Sequence, residues 1–279
     1  MFNQNDLKQI DDKGIDLKTV ENQINHFKTG FPFIKLASAA SSGKGLHCYS
    51  REEAQKLATY FDDRKADYEI LKFVPASGAA SRMFKDLQKF KDEFRGTKED
   101  IDQYLDDKSF GSPYYFFTNL EKFAFYNELQ ALLEKDGFDI KQLIQNLDFL
   151  IILDYFLTEQ GLNYTSRPKG LLLFHDYDDN PRLAVEEHLV EGAHYSTNAK
   201  KTTRVHLTVS PEHKEKFLSA IEAKSNIYEK QYDVSFDISF SQQKSSTDTI
   251  AVDLENNPFR NSDGSLLFRP GGHGALMKT

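Results

Sequence analysis

The chain has 279 residues, of which 39% are hydrophobic, enough to enclose the core of one large domain or two modest ones. Its formal net charge is -8 at pH 7, with 43 acidic residues against 35 dispersed Lys and Arg, which argues against a nucleic-acid groove or an anionic membrane surface. Both of those need a concentrated basic face. A single cysteine, Cys48, excludes an internal disulfide framework and a multi-thiolate zinc site and fits a reducing, cytoplasmic setting.

The first residues, MFNQNDLKQIDDKG, contain neither a basic n-region nor an apolar h-region. Up to about Arg64 the pattern is helical, and SREE (Ser50 to Glu53) has the form of a capping box. The intervening ASAASSGKGLHC (Ala37 to Cys48) reads as a loop. A strand is predicted over Ile70 to Val74, followed by the turn PASGAAS and a helix beginning near Ser81. From Phe84 to about Gly161 the chain is aromatic and helix-periodic, with Leu120, Phe123, Phe125, Leu129, Leu132 and Leu133 at three- and four-residue spacing and Gly137 as a C-terminal stop. Its most apolar run, Phe149 to Leu153, is flanked by Asp148 and Asp154 and falls far short of the roughly 20 residues a membrane helix needs.

After Arg167 strand and helix alternate again. GLLLFHDY, RVHLTVS, DVSFDISF, TIAVD and SLLFR read as strands, AVEEHLVEGAHY as a helix, and Ser210 with Pro211 opens the helix PEHKEKFLSAIEAK. The predicted fold class is α/β: a mostly parallel sheet with helices on both faces, preceded by a helical segment (1–66) and carrying a helical insertion (84–166) within an α/β domain (67–279). In such sheets a ligand lies beyond the carboxyl ends of the strands, where PASGAAS falls.

That loop suggests phosphate binding. Ala76, Ser77, Gly78, Ala79, Ala80 and Ser81 leave backbone N–H groups uncovered beside a helix start, and Arg82 adds a permanently charged donor fork. Small residues are equally ordinary in a strand-to-helix turn, and the loop is neither a Walker loop nor a GxGxxG motif. His188, Glu191 and His194, with Glu187, lie on a predicted helix and invite a metal-hydrolase reading, although their spacing is not HExxH and a solvated polar face explains them better. His175 and His206 sit on strand patterns and read as packed or hydrogen-bonded histidines. Asp176, Asp178 and Asp179 lack calcium-loop spacing.

VPASGAASRM resembles the LxGGxGTRM signature of sugar-nucleotide pyrophosphorylases, with Gly78 and Arg82 on the matching Gly and Arg, Ser81 on the Thr and Ala80 on the second Gly. RPKGLLLF is similar to the PKxLLP segment of that superfamily and puts Lys169 on its lysine. FSQQKSSTDTIAV resembles the stretch in which a Gln approaches the nucleobase, with Gln242 and Gln243 both open as the match. PGGHGAL is similar to the PxGHG motif of UDP-glucose and UDP-N-acetylhexosamine pyrophosphorylases, covering Pro270, Gly271, Gly272, His273 and Gly274. The whole chain also resembles the N-terminal part of an uncharacterised bacterial family of unknown function that carries the same segments.

The resemblance implies a GT-A-like, Rossmann-like fold and Mg²⁺-dependent transfer of UMP from UTP to a sugar 1-phosphate with release of pyrophosphate. In that scheme Arg82 and Lys169 are catalytic cations. The three glycine- or glutamine-bearing segments bind the nucleotide, and the backbone at Gly272 and the side chain of His273 read the base. Those enzymes carry a metal-binding Asp on a strand after the PGGHG motif, so the resemblance implies no metal ligand within this chain and an Asp beyond Thr279. The first loop departs from the signature in having one glycine, Gly78, where the enzymes have three. A non-catalytic nucleotide or nucleotide-sugar binding module is the alternative from a different class, and the metal hydrolase a third.

Overall fold

Two of the three N-terminal helices begin at a side chain that accepts a backbone N–H. In the computed structural model, which describes residues 2–78, 80, 82–178, 180–271 and 275, α1 (Gln4–Asp12) starts at a reciprocal Asn3/Asp6 capping box. The helix α2 (Leu17–Thr29) follows, then the two-residue strands β1 (Ser41–Ser42) and β2 (Gly45–Leu46). The helix α3 (Arg51–Arg64) opens on the predicted box: Glu53 N–H donates to Ser50 Oγ at 3.2 Å and Ser50 N–H to Glu53 Oε2 at 2.8 Å.

The chain divides into two compact units, one made of 1–69 with 241–279 and the other of 70–240. The division falls at 69/70 and at 240/241. The segment from 241, expected to belong to the α/β domain, groups with the N-terminal helices.

In the second unit β3 (Leu71–Pro75) alternates, with Val74 and Ala76 buried and Leu71 and Phe73 exposed. The loop after it is longer than predicted, since the next helix, α4 (Lys85–Glu93), starts four residues beyond position 81. Arg82 therefore lies in the turn before that helix rather than inside it. Five more helices follow: α5 (Lys98–Asp106), α6 (Pro113–Thr118), α7 (Tyr126–Lys135), α8 (Ile140–Gln145) and α9 (Phe149–Leu157). They enclose an aromatic core in which Phe149 packs on Phe117 at 4.2 Å and on Tyr104 at 4.7 Å between ring centroids. The apolar α9 is a buried core helix, and no described helix is long and apolar enough to cross a membrane. Gly137, at φ 85°, ends α7 as expected, with Phe138 N–H donating to Leu133 O at 2.9 Å.

The expected strand GLLLFHDY is mostly something else. Lys169–Leu171 forms a 3₁₀ turn, and only β4 (Leu173–His175) is extended, pairing antiparallel with β5 (Arg182–Leu183) outside the main sheet. The helix α10 (Ala184–Tyr195) covers the whole predicted segment. It is followed by β6 (Thr202–Val209), a Pro211–His213 3₁₀ turn after Ser210, α11 (Lys214–Tyr232) and β7 (Ser235–Gln242).

The sheet of this unit has the order β3-β6-β7 and is parallel. Along β6 and β7, Arg204 faces Asp237 at 3.3 Å and His206 faces Ser239 at 2.8 Å, a constant offset that only a parallel register gives. Because successive crossovers move the same way across the sheet, right-handedness puts both connecting helices on one face. The core agrees: Val74, Val205, Leu207 and Val209 pack against Val185 and Leu189 of α10 and Phe217 and Ile221 of α11. The opposite face exposes Leu71 and Phe73, so the expectation of helices on both faces is corrected. The physical reason is the absence of a reversal in strand order among the described strands. Gly192 lets α10 approach the sheet, since a Cβ there would lie 2.9 Å from Thr203 Cγ2.

The last two predicted strands shrink to β8 (Thr249–Ile250) and β9 (Phe268–Arg269), an antiparallel pair apart from the three-stranded sheet. Within their own unit Ile250 and Leu266 close a small core with Ile10, Ile15, Val20 and Ile24. Arg260 adds a bidentate clamp, with Nη1 and Nη2 each 2.8 Å from a carboxylate oxygen of Asp6, which is only 2% exposed.

The Arg260 guanidinium holds the Asp6 carboxyl below its ordinary value of 3.8. A carboxyl depressed on folding stabilises the protein above its unfolded pKa, and that contribution is lost as pH falls through the folded value. Asp6→Asn should therefore lower Tm by several degrees at pH 7, with the gap to the parent closing below about pH 4. Thermal melts at stepped pH check it; a gap that stays constant down to pH 2 would mean the ion pair contributes nothing.

Candidate functional site

A cavity of about 130 Å³ opens beyond the carboxyl ends of β3 and β6, within the second unit. Val74, Pro75 and Ala76 form one wall, Leu207 and Phe217 the back, Ala184, Val185 and His188 of α10 a second wall, and Gly78, Lys169 and Gly170 the rim. Two backbone hydrogen bonds tie the rim together. Lys169 N–H donates to Gly78 O at 3.0 Å and Ala80 N–H to Arg167 O at 3.3 Å. Gly170 is needed there because a Cβ would lie 2.6 Å from the buried Phe217 ring.

The small residues of PASGAAS have a packing role as well. Ala76 belongs to the core between sheet and α10, whereas Ala80 is fully buried in the aromatic helical core, so the loop stitches the two cores. Gly78 and Arg82 remain exposed. Among the described residues, neither Arg82 nor Lys169 forms an ion pair, which leaves two uncompensated cations on the chain segments that meet at the rim.

Behind the cavity wall lies a polar cluster that the sequence had not singled out as such. Lys72, on the inward face of β3 with its side chain 9% exposed, donates to Glu191 and to Tyr195 OH. Burial opposes the charge on Lys72, but Glu191 and Tyr195 outweigh it and raise its pKa; Lys72 in turn lowers that of Glu191. His188 stands one turn before Glu191. Its Nδ1 is sealed from water at 3.5 Å from Glu191 Oε2, without a well-formed hydrogen bond. Burial first, and then Lys72, push its pKa below 6.5, so the imidazole is neutral at neutral pH.

The metal-hydrolase grouping does not assemble among the described residues. From His188 to His194 a helix turns about 600°, which sets the two roughly 120° apart. His194 packs edge-on against Tyr232 at 4.9 Å, and Glu187 is taken by His175 at 3.1 Å and Arg182 at 3.5 Å. No three His, Cys, Asp or Glu side chains among the described residues lie together as a metal cage. His175 is hydrogen-bonded but exposed, and His206 stacks on Phe73 at 5.1 Å on the outward sheet face. Cys48 is exposed.

The predicted nucleotide-binding residues divide into two groups. Ala76 and Gly78 line the cavity together with Lys169, expected as a catalytic cation. Ser77 and Arg82 flank it in sequence. In the other unit, Gln243 Nε2 donates to Gly271 O at 3.0 Å, so the glutamine and glycine segments meet there. A Cβ at Gly271 would lie 2.6 Å from Thr247 O, and the position admits only glycine. Gln242 ends β7 and, like Pro270, is exposed. Ala79, Ser81, Gly272, His273 and Gly274 lie outside the described residues.

Sequence reasoning passed over Gly170, Phe217 and the position of His188 in the wall. The available signal was the phase of α10, in which Val185, Leu189 and Gly192 mark the buried stripe beside His188.

An α/β unit with a small parallel sheet and a cavity at its carboxyl edge is thus the class that fold and site define. The chain belongs to the family described as "Domain of unknown function (DUF4301)", whose profile matches residues 3–279. It matches no curated protein and no solved structure.

Proposed function

We propose that this chain is a cytoplasmic, GT-A-like nucleotidyltransferase domain that transfers UMP from UTP to a sugar 1-phosphate. The observation that carries this reading is the backbone pairing of the Gly78 loop with Lys169 around one cavity at the carboxyl ends of parallel strands. Two segments that resemble consecutive pyrophosphorylase motifs, some ninety residues apart in the chain, share one rim.

In the reaction an oxygen of the sugar 1-phosphate attacks the α-phosphorus, the bond from that phosphorus to the bridging β-oxygen breaks, and pyrophosphate leaves with the bond's electrons. No enzyme nucleophile is needed. Lys169 and Arg82 neutralise phosphate charge and hold the groups in line, which is where most catalysis in such transfers resides. Mg²⁺, if bound with the nucleotide, would supply neutralisation of triphosphate charge. The described cavity wall carries no carboxylate, so no wall residue is assigned to the metal and no step is routed through it.

That bare wall and the single loop glycine favour the second reading, a module that binds a nucleotide or nucleotide sugar without turnover. Thermal shift with UTP, CTP, ATP and GTP, each with Mg²⁺, tests binding. A ligand at 100 times its Kd adds about 2.7 kcal/mol of stability. UTP should give the largest shift; a larger one with ATP would overturn the uridine assignment. Pyrophosphate release upon adding sugar 1-phosphates then separates enzyme from module.

A further inference from the structure

Apart from Lys169 at the rim, His188 is the only side chain among the described residues of the cavity wall with a hydrogen-bonding atom; the rest are Val, Pro, Ala, Gly, Leu and Phe. Such a wall suits a flat apolar ring with one polar edge and is a poor host for a bare phosphate. Size narrows the choice. An apolar cavity of about 150 Å³ accepts a benzene-sized ring, and this one measures about 130 Å³, which is room for one six-membered ring and tight for a fused bicycle.

The imidazole is oriented for reading such a ring. Its Nδ1 is sealed from water beside the Glu191 carboxylate, while the side chain as a whole is 37% exposed and lines the cavity. A proton on Nδ1, the nitrogen that faces the Glu191 carboxylate, would leave Nε2 as the acceptor.

We propose that this cavity is the base subsite, that it takes a pyrimidine in preference to a purine, and that His188 sets the preference by accepting a hydrogen bond from a ring N–H at Nε2. Lys169 at the rim is then placed for the phosphates of the same nucleotide. The inference rests on the nucleotide reading above and moves base recognition from the PGGHG segment to α10.

The test measures binding of UTP, ATP and inorganic tripolyphosphate to the parent, His188→Leu, His188→Gln and Ala184→Leu. The parent should prefer UTP to ATP. His188→Leu should lose about tenfold or more in UTP affinity, the size of one buried hydrogen bond, with tripolyphosphate unchanged. His188→Gln, whose amide reaches the Nε2 position with an acceptor, should retain most of it. Ala184→Leu, which fills the cavity from a half-buried position, should abolish the preference by a route that leaves His188 in place.

If His188→Leu and Ala184→Leu bind UTP like the parent, or lose UTP and tripolyphosphate equally, the base-subsite assignment is wrong while nucleotide binding stands. If the parent binds neither UTP nor tripolyphosphate, the nucleotide reading itself falls and this inference with it.

Discussion

On the proposed nucleotidyltransferase function, Lys169→Ala and Arg82→Ala should each lower kcat for pyrophosphate release by about 10²-fold or more, the usual cost of removing one preorganised charge stabiliser. The expected size follows from their surroundings. Both side chains are exposed, and among the described residues neither has an ionic partner to neutralise it. Each is therefore available to a phosphate, and exposure leaves each with little packing to lose. Exposed substitutions of this kind shift stability by about 0.5 kcal/mol or less, so the urea midpoint should stay in place while kcat collapses. An Arg82→Ala protein that unfolds yet, where folded, binds UTP normally would show that Arg82 is structural. Unchanged turnover in both variants would remove the charge-stabilising scheme.

Phe149→Ala costs about 3–5 kcal/mol, the range for deleting a large buried aromatic. Phe149 is 1% exposed and touches the rings of Phe90, Phe94, Tyr104 and Phe117, which come from α4 with its C-cap, α5 and α6. No neighbour can collapse into the space without giving up its own ring contacts. Against a typical stability of 5–15 kcal/mol this is a large fraction. Urea denaturation should show the midpoint falling with little change in slope. UTP affinity below the melting range should persist, because Val74, Ala76, Val185, Leu207 and Phe217 of the cavity wall pack in the core beneath α10 and α11, to which Phe149 does not belong. A loss under 1 kcal/mol would mean that the aromatic core is not the body that holds the helices together.

The sequence by itself determined what depends on near neighbours. The Ser50/Glu53 box, the span of α10, the helical run after Phe84 and the Gly137 stop are set by caps, periodicity and backbone freedom within a few residues. Gly78 meets Lys169 within one unit and Gln243 meets Gly271 within the other, a division into pairs that the sequence pattern did not separate.

Tertiary structure decided the rest. A short apolar run carries no record of its partner, so TIAVD and SLLFR pair with each other rather than extend the parallel sheet, and they group with the N-terminal helices. RPKGLLLF reads as strand by composition, but Gly170 must pass under the Phe217 ring, and a 3₁₀ turn makes that approach possible. His188 and His194 look equivalent along the chain. Rotation about the helix axis and the position of the sheet beneath it put His188 in the cavity wall beside Glu191 and turn His194 onto Tyr232.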